Sequence, residues 1–440
     1  IAWLPEGYYV SSLRGDNYIG WHVNRGKDLN PDFYRAVQFD RILYRPDIIK
    51  TTLKKFSDKK TRSLRIKKPD NADFEISMLH EIAPPILRLS AEITKVDRQH
   101  ELLLNIKSEK NSLDKQDFVV YLNNIPYTTT DKRSLENTDQ QYFERDIKIP
   151  LSSKQNHIRV EAFNGVSMGV AESYVYAPEV VPEQKQGDLY LLAIGVNEFE
   201  KLSEDVSLAY AVRDAEGFLG KLANDQNALF ENVYSKLITN KTPDKPDQKT
   251  IAESLKFLHS AKPEDTVILF LASHGISDTE GNYYFVPSDA IPEDLDRLFD
   301  GGKIESLISW QTFFDVFRLT AGKRLLVVDT CQAKYIEGRF DSHSLLKRSA
   351  SSLFTMMLAS KGNEESQEYP QAGHGLFTYS LLESLDRVND YNSDGIYSVN
   401  ELFSTLKPIV DEKRDADIGP QTPQLVSPED VQDIPIRKVL

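Results

Sequence analysis

The sequence contains a single cysteine, Cys331, among its 440 residues. One cysteine cannot form an intramolecular disulfide, and it cannot supply the several thiolates of a structural zinc or iron–sulfur site. Cys331 is therefore either a small buried side chain or a reactive thiol. The second interpretation requires a basic group close to the sulfur, because the thiolate is the reactive form.

Long apolar runs and excess positive charge are also missing. No stretch approaches the roughly 18 to 20 apolar residues of a transmembrane helix, so we expect no membrane association. The formal net charge of -14 repels phosphate backbones, which argues against nucleic-acid partners. The chain starts at Ile1 without the basic start and apolar core of a signal peptide, and we expect a cytoplasmic fragment or processed form.

Length and pattern predict three domains. Residues 1–82 are irregular and aromatic, typical of a small β-rich segment, with a hairpin between residues 8–10 and 18–23. Residues 83–181 alternate apolar and polar side chains in short runs, which indicates an Ig-like β-sandwich. Residues 182–440 form the third domain. Because the first two segments lack a cluster of catalytic residue types, we expect them to dock, recognise or bind an activating partner.

The third domain alternates apolar strands with helices, which predicts an α/β fold with a mostly parallel sheet covered by helices. Two predicted strands run directly into polar residues. Residues 266–272 lead into Ser273-His274-Gly275, and residues 324–328 lead into Asp329-Thr330-Cys331. Reacting groups in open parallel sheets collect at the carboxyl ends of neighbouring strands, so we expect His274 and Cys331 to meet.

A histidine beside Cys331 would complete a nucleophilic site. The imidazole lowers the pKa of the thiol and later protonates the leaving amine. Backbone N–H groups of Gly275 and Cys331 are candidates for binding the oxyanion, and the missing side chain of Gly275 would let a substrate carbonyl approach. The rival base, His374, lies in a glycine-flanked loop, where hydrogen bonding to the backbone is sufficient to explain a histidine.

Five fragments occur in the order found in caspase-like cysteine peptidases, and they resemble in particular the bacterial, metacaspase-like branch. They lie at residues 191–197, 211–215, 273–275, 329–331 and 373–378. His274 precedes Cys331 by 57 residues, close to the family's spacing of about 50. The resemblance covers roughly residues 188–425. It implies a caspase-like fold and an endopeptidase with a Cys331–His274 dyad, without a required third acid or cofactor.

Two acids match the specificity pocket of the metacaspases, which cleave after Arg or Lys. Asp329 stands two positions before the nucleophile, where caspases carry Gln, and Asp214 matches a second pocket acid. A carboxylate at the pocket floor pairs with a cationic side chain and repels an acidic one. The resemblance therefore implies a protein or peptide substrate with a basic residue before the scissile bond. For Asp214, a helix-surface or capping charge is the structural alternative.

The polar stretch at residues 335–348 follows the nucleophile, where this family often carries a self-cleavage linker. Its basic residues Arg339, Lys347 and Arg348 would suit an enzyme that cuts after Arg or Lys. A solvated surface loop explains the same composition.

A further acidic segment matches the twelve-residue calcium-loop pattern through Asp390, Asn392, Asp394, Gly395 and Glu401. Position eight is Tyr397 instead of a branched aliphatic residue, and no second loop follows. A tight turn that leads into a helix capped by Ser398 and Glu401 explains the same residues. Calcium binding and a capped turn are both open interpretations.

Two alternatives come from other functional classes. A non-catalytic scaffold could keep the fold without activity, but the intact His274 and Cys331 argue against it. A flavodoxin-like nucleotide protein would need a glycine-rich phosphate loop after the first strand, where Gly195-Val196-Asn197 stands alone. The upstream residues loosely resemble the segment after β-propeller repeats in some bacterial relatives. That resemblance implies a sensing or recruiting region joined to an effector peptidase in signalling, stress or defence.

Overall fold

The computed structural model describes residues 1–57, 79–96, 99–109, 117–127, 142–151, 153–180, 186–224, 229–278, 282–300, 302–332, 353–361, 364, 366–415, 418–428, 431 and 433–439. The predicted self-cleavage segment, with Arg339, Lys347 and Arg348, lies outside the described residues. The chain divides into two compact units, residues 1–124 with 129–183 and residues 125–128 with 184–440. The three predicted domain boundaries stay predictions.

The first unit begins with short elements around an aromatic cluster. Strand β1 (Ala2–Trp3) pairs with β2 (Tyr9–Val10), and β3 (Gly20–Val23) pairs with β4 (Asp32–Arg35). The predicted hairpin between residues 8–10 and 18–23 is therefore wrong, because a 3-10 turn at residues 15–18 redirects the chain and each strand pairs elsewhere. Helices α1 (Asp40–Leu43) and α2 (Pro46–Ser57) follow.

Antiparallel strands make up the part of the first unit that follows. They are β5 (Ile86–Val96), β6 (Gln99–Glu109), β7 (Asp117–Leu122), β9 (Tyr142–Pro150), β10 (Gln155–Phe163) and β11 (Met168–Tyr176), and the two-residue β8 (Ile125–Pro126) lies between β7 and β9 in the chain. One sheet has the order β5-β6-β9, and a second contains β11-β10-β7. Leu102, Leu104 and Ile106 of β6 are fully buried, as the two-residue period requires. Two such sheets are consistent with the predicted β-sandwich.

One buried acid of the first unit has a basic partner. Glu161 on β10 is only 1% exposed. Its carboxylate accepts hydrogen bonds from Arg159 Nε at 2.8 Å and from the Tyr121 hydroxyl at 3.3 Å. Arg159 also reaches Glu172 on β11, with Nη1 3.0 Å from Oε1. The negative charge of Glu161 is thus neutralised within the unit.

The second unit contains a mixed sheet with the order β13-β12-β14-β17-β18-β22. Its strands and the shorter pairs around it are β12 (Leu189–Gly195), β13 (Val233–Thr239), β14 (Thr266–Ser277), β15 (Tyr283–Phe285), β16 (Ile308–Ser309), β17 (Lys323–Gln332), β18 (Thr355–Leu358), β19 (Glu368–Tyr369), β20 (His374–Gly375), β21 (Ile396–Ser398), β22 (Gln424–Val426) and β23 (Pro435–Lys438). The first five strands in this order pair in parallel, and β22 is antiparallel to β18. All seven residues of β12 are buried, which explains its continuous apolar sequence.

Helices cover both faces of this sheet, as the predicted α/β fold requires. They are α3 (Ala211–Ala223), α4 (Gln248–Leu255), α5 (Pro292–Asp300), α6 (Trp310–Leu319), α7 (Leu376–Arg387) and α8 (Val399–Lys413). On one face, Phe270 and Ala272 of β14 share an apolar core with residues of α3, α7 and α8. On the other, Trp310 and Phe313 of α6 pack against β15 rings. None of the helices in the described ranges combines the length and apolarity needed to cross a membrane.

The two strands that carry the catalytic candidates are longer than the sequence predicts. β14 continues to Ser277 and β17 continues to Gln332, beyond the predicted ends at residues 272 and 328. The extension of β14 is paired on both sides, since Gly275 is opposite Phe285 of β15 and opposite Gln332 of β17. Backbone pairing therefore continues past the point where polar residues interrupt the apolar run.

Candidate active site

The sheet brings the two catalytic candidates into the same register. His274 on β14 is paired with Cys331 on the parallel strand β17, and Ala272 is paired with Asp329 in the same ladder. Adjacent strands lie about 4.8 Å apart, so the backbone of Cys331 is next to that of His274. The structure describes the backbone of Cys331 and not its side chain. The predicted meeting of the two strands is therefore observed at the level of the backbone.

His274 is buried and held by two contacts. Its Nε2 lies 2.6 Å from the carbonyl oxygen of Val206, and its ring stacks on Phe199 with the centroids 5.4 Å apart. A carbonyl oxygen only accepts hydrogen bonds, so this contact assigns the hydrogen of neutral His274 to Nε2. Nδ1 is then the basic nitrogen of the ring, which gives a general base a defined orientation.

Gly275 lacks a side chain for a different reason from the one predicted. A Cβ on Gly275 would overlap the Tyr283 hydroxyl group. That hydroxyl lies 2.7 Å from Thr330 Oγ1. Successive residues of a strand face opposite sides, so Tyr283 occupies the face opposite to His274. The missing side chain therefore makes room for Tyr283 and not for a substrate carbonyl, while oxyanion binding by the N–H groups of Gly275 and Cys331 stays a prediction.

The two acids predicted for substrate recognition come together around Gly375. Asp214 on α3 is 3% exposed and Asp329 on β17 is 5% exposed. A Cβ on Gly375 would lie 3.1 Å from Oδ2 of each carboxyl group, so both oxygens face the same position. The first structural alternative for Asp214, a helix-surface charge, does not fit this burial, whereas its place in the first turn of α3 leaves the capping-charge alternative open.

Asp329 is fixed by two hydroxyl groups. Ser366 Oγ donates to Oδ1 at 3.0 Å, and Thr378 Oγ1 donates to Oδ2 at 2.6 Å. Gln421 Nε2 donates to Ser366 Oγ at 3.3 Å, which directs the serine hydrogen toward Asp329. Burial raises the pKa of Asp329 above its ordinary value, and the hydrogen bonds from Thr378 and Ser366 oppose that rise. The carboxyl group is therefore well positioned but costly to ionise.

Asp214 is bound by His374 and Gly375. His374 Nδ1 lies 2.7 Å from Oδ1, and the Gly375 N–H donates to the carboxyl group at 3.1 Å. His374 thus contacts a carboxyl group instead of the backbone that the sequence interpretation favoured. Burial raises the pKa of Asp214 to about 7, against the lowering effect of the His374 hydrogen bond, and the nearby charge of Asp329 adds to the rise.

Neither acid is neutralised in the way that Glu161 is. Among the described residues, no arginine or lysine forms an ion pair with Asp214 or Asp329, and His374 is the ionisable partner of Asp214. Two buried carboxyl groups that face one position repel each other when both are ionised. Within the described part of the chain, this pair, which we call the acid pair, therefore has no arginine or lysine as a counterion.

Several residues that support this site, among them His374, Thr378 and Ser366, are absent from the predicted site residues. His374 and Thr378 lie in the 373–378 fragment that carries the family resemblance, so the sequence held a signal for them. Ser366 lies in a loop before β19 and has no comparable signal. Its role follows only from the fold, which brings this loop to Asp329.

The predicted calcium ligands Asp390, Asn392, Asp394 and Glu401 are bound to their own loop. Asp390 Oδ1 accepts from the Asp394 N–H at 3.2 Å. Glu401 Oε2 accepts from the Ser398 N–H at 2.9 Å, and the two residues form the capping box of α8. Within the described ranges, no three His, Cys, Asp or Glu side chains are grouped as metal ligands. The arrangement is that of a capped turn, and calcium binding stays a prediction.

Comparisons with known proteins identify the second unit. The family model described as "Caspase domain", Peptidase C14, matches residues 190–432, which include β12 to β22. A search of curated proteins finds no match. A solved calcium-binding mutant of Bacteroides uniformis beta-glucuronidase 2 is 8% identical, with 55% of this chain and 33% of that chain covered, and its TM-score of 0.13 carries no argument. The matched region spans more than half of the sequence and contains His274, Cys331 and the acid pair, and the chain therefore belongs to the caspase-domain family Peptidase C14.

Proposed function

We propose that the chain is a cysteine endopeptidase that cleaves proteins after Arg or Lys, with Cys331 as the nucleophile and His274 as the base. The pairing of His274 with Cys331 on adjacent parallel strands is the observation that supports this most directly. A dyad of this kind supplies both the nucleophile and the proton carrier, so its steps need no metal or cofactor.

His274 performs two proton transfers in this mechanism. Nδ1 takes the proton of the Cys331 thiol, and the thiolate attacks the carbonyl carbon of the scissile peptide bond. The imidazolium then gives its proton to the leaving amine, and water hydrolyses the thioester. Throughout, the Val206 carbonyl accepts from Nε2 at 2.6 Å, which keeps the ring oriented and stabilises its positive charge.

The oxyanion would form beside the same two strands. Backbone N–H groups of Gly275 and Cys331 are proposed to stabilise it, because they flank the dyad in the β14–β17 ladder. This assignment does not depend on the missing side chain of Gly275, which serves to accommodate Tyr283.

The acid pair accounts for the proposed specificity. Asp329 lies two residues before Cys331 on the same strand, and Asp214 faces the same position over Gly375. A guanidinium or ammonium group of the substrate would supply the positive charge that the pair lacks. An aspartate at that position of the substrate would add negative charge to an acidic pocket, which disfavours cleavage after acidic residues.

We also propose a role for the first unit and a setting for the activity. Its β-rich segments would dock substrates or an activating partner, and the peptidase would act as an effector in bacterial signalling, stress or defence in the cytoplasm. A pull-down with the first unit alone and with the whole chain tests whether partners bind through these segments.

Because Cys331 is the only cysteine in the sequence, intact-mass spectrometry reports on it alone. We expect a peptidyl-arginine chloromethyl ketone to add one label to the protein, and the matching aspartyl reagent to react at least about tenfold more slowly. Cys331→Ala should take up no label, and His274→Ala should be labelled slowly.

Two results would contradict the proposal in different ways. Equal or faster labelling by the aspartyl reagent would refute basic specificity while leaving a cysteine peptidase. A thiol that iodoacetamide modifies but neither peptide reagent labels would refute the peptidase and favour a non-catalytic scaffold.

A further inference from the structure

The acid pair consists of two buried carboxyl groups to which none of the described arginines and lysines is paired. Asp214 and Asp329 are each at most 5% exposed, and their Oδ2 atoms converge on Gly375. Two negative charges at such a site are strongly unfavourable, and proteins usually avoid this by keeping one proton on the pair. The geometry therefore favours a pair that carries a single negative charge while the site is empty.

The hydrogen bonds indicate how the two acids differ. Both oxygens of Asp329 accept from hydroxyl groups, of Ser366 and Thr378, which stabilise a carboxylate. Asp214 presents Oδ1 to His374 Nδ1 and shares the single Gly375 N–H between its two oxygens. Asp214 Oδ2 thus has the weaker set of donors and is the atom on which a shared proton fits.

Other charged groups surround Asp214 on each packed element. Asp329 faces it from β17, and His374 faces it from the segment before α7. On its own helix, the Arg213 guanidinium lies against Gly373 and is not paired with the acid. Glu368 on β19 accepts from the Ala209 N–H before α3 at 3.4 Å. Of these groups, His374 is hydrogen-bonded to Asp214, and the charge of Asp329 raises the pKa of Asp214.

We propose that the acid pair holds one proton in the free protein and releases it to solvent when the guanidinium or ammonium group of a substrate enters, with His374 as the positioning residue of Asp214. The inference rests on the proposed specificity for Arg or Lys, and it adds that binding of such a substrate releases a proton. The exchange balances in atoms and charge: a carboxylic acid and a cation give a carboxylate–cation pair and one free proton. Substrate affinity then depends on pH through the pocket as well as through the dyad.

The proton of the free protein can be observed without any substrate. In Cys331→Ala protein with ¹³C-labelled aspartate, one carboxyl signal should titrate with a midpoint near pH 7, because burial raises the pKa of Asp214 to about 7. The signal should be missing in Asp214→Asn and should move to lower pH in Asp329→Asn, where the like charge is removed. Absence of any aspartate titration above about pH 5.5 would overturn the proposal.

Release of the proton is measured by calorimetry of the Cys331→Ala protein with an arginine-ended peptide in phosphate and in Tris buffer. The difference in heat gives the number of protons released, which should fall from about 0.9 at pH 6 to about 0.1 at pH 8 for a pKa of about 7. Binding should be about tenfold tighter at pH 8 than at pH 6. A citrulline-ended peptide, which has the shape without the charge, should release none.

His374 variants separate positioning from simple folding. His374→Asn keeps a donor for Asp214 and should keep the midpoint of release within about half a pH unit, whereas His374→Phe removes the donor and should raise it. Identical midpoints in both variants would refute the role of His374. Tight binding of the arginine peptide without proton release refutes the inference but leaves basic specificity intact, and failure to bind arginine peptides refutes both.

Discussion

The two units of this protein treat buried negative charge in different ways. In the first unit, the carboxylate of Glu161 accepts from Arg159 at 2.8 Å, so charge and countercharge are buried together. In the second unit, Asp214 and Asp329 are buried around Gly375, and no arginine or lysine of the described residues pairs with either. We call Glu161 with Arg159 the balanced pair, and such an ion pair is an ordinary structural element. We call the acid pair unbalanced, because under the proposed function its counterion comes from a ligand.

Under the proposed function, this difference separates a residue that stabilises the fold, Glu161, from residues that bind a substrate, Asp214 and Asp329. Removing Glu161 should leave Arg159 with only its more exposed acidic partner, Glu172, and weaken the first unit. Removing a member of the acid pair should relieve repulsion in the fold and weaken binding of a basic substrate. Substitution of Glu161 is therefore expected to lower stability and keep activity. Substitution of Asp214 or Asp329 is expected to lower activity without lowering stability.

The largest effect is expected at the base of the dyad. His274→Ala should lower kcat by about a thousandfold or more for every substrate, because the thiol loses its proton acceptor. His374→Ala is the matched control, since that histidine contacts Asp214 and should change citrulline-peptide hydrolysis less than about tenfold. Hydrolysis of fluorogenic peptides measures both, and a larger loss in His374→Ala would exchange the proposed roles of the two histidines.

The balanced pair of the first unit should respond in stability only. Glu161→Gln removes the buried one of the two acidic partners of Arg159 and should lower the free energy of unfolding of the first unit by about 2 to 3 kcal/mol, since Arg159 is only partly buried and keeps Glu172. Urea unfolding followed by circular dichroism gives the free energy, and peptide hydrolysis should stay within about twofold. A loss of hydrolysis without a loss of stability would contradict the structural role of Glu161.

The unbalanced pair should make stability depend on pH. Burial raises the pKa of Asp214 to about 7, above an unfolded value of about 3.9. The folded state therefore binds more protons than the unfolded state between these values, and the stabilisation present below about pH 4 is lost as pH rises through about 7. Asp214→Asn should lose much of the decrease in unfolding free energy between pH 4.5 and 8. An unchanged pH dependence would contradict the burial of a titrating Asp214.

A smaller effect is expected where a hydroxyl group supports Asp329. Thr378→Val keeps the shape of the side chain but removes the donor that lies 2.6 Å from Oδ2. The carboxylate loses one stabilising hydrogen bond, so kcat/KM for arginine peptides should fall about tenfold while citrulline peptides change little. Thr378→Ser, which restores the donor, should recover most of the arginine activity. No recovery would indicate that packing, and not the hydrogen bond, explains the loss.

The sequence predicts the elements of the second unit well because its strands are continuous apolar runs. β12, whose residues are all buried, stands out for that reason. The pairing of His274 with Cys331 could be anticipated, since both follow such runs in chain order. The residues at which β14 and β17 end could not be anticipated, because their last residues are polar and are held by pairing with β15 and with each other.

Other features depend on contacts between distant segments. Asp214 and Asp329 were identified by resemblance to the family, but their convergence on Gly375 requires the fold. Ser366, in a loop, and Val206, at the end of a 3-10 turn, support the site without any local sequence pattern that marks them. The structural requirement for glycine at position 275 could not be predicted either, because the Tyr283 side chain that fills the space belongs to another strand. In the first unit, weak amphipathic runs led to the wrong hairpin partner.

The central claim is that the acid pair awaits the positive charge of a substrate, and one ratio tests it most directly. We would measure kcat/KM for two peptides that differ only in arginine or citrulline before the scissile bond, with wild-type and Asp329→Asn protein. Because the same dyad cleaves both peptides, its contribution to kcat/KM cancels in the ratio. The account predicts a wild-type preference for arginine that falls about a hundredfold in Asp329→Asn, as expected for removing one partner of a buried charge pair. A preference that Asp329→Asn leaves unchanged would contradict it.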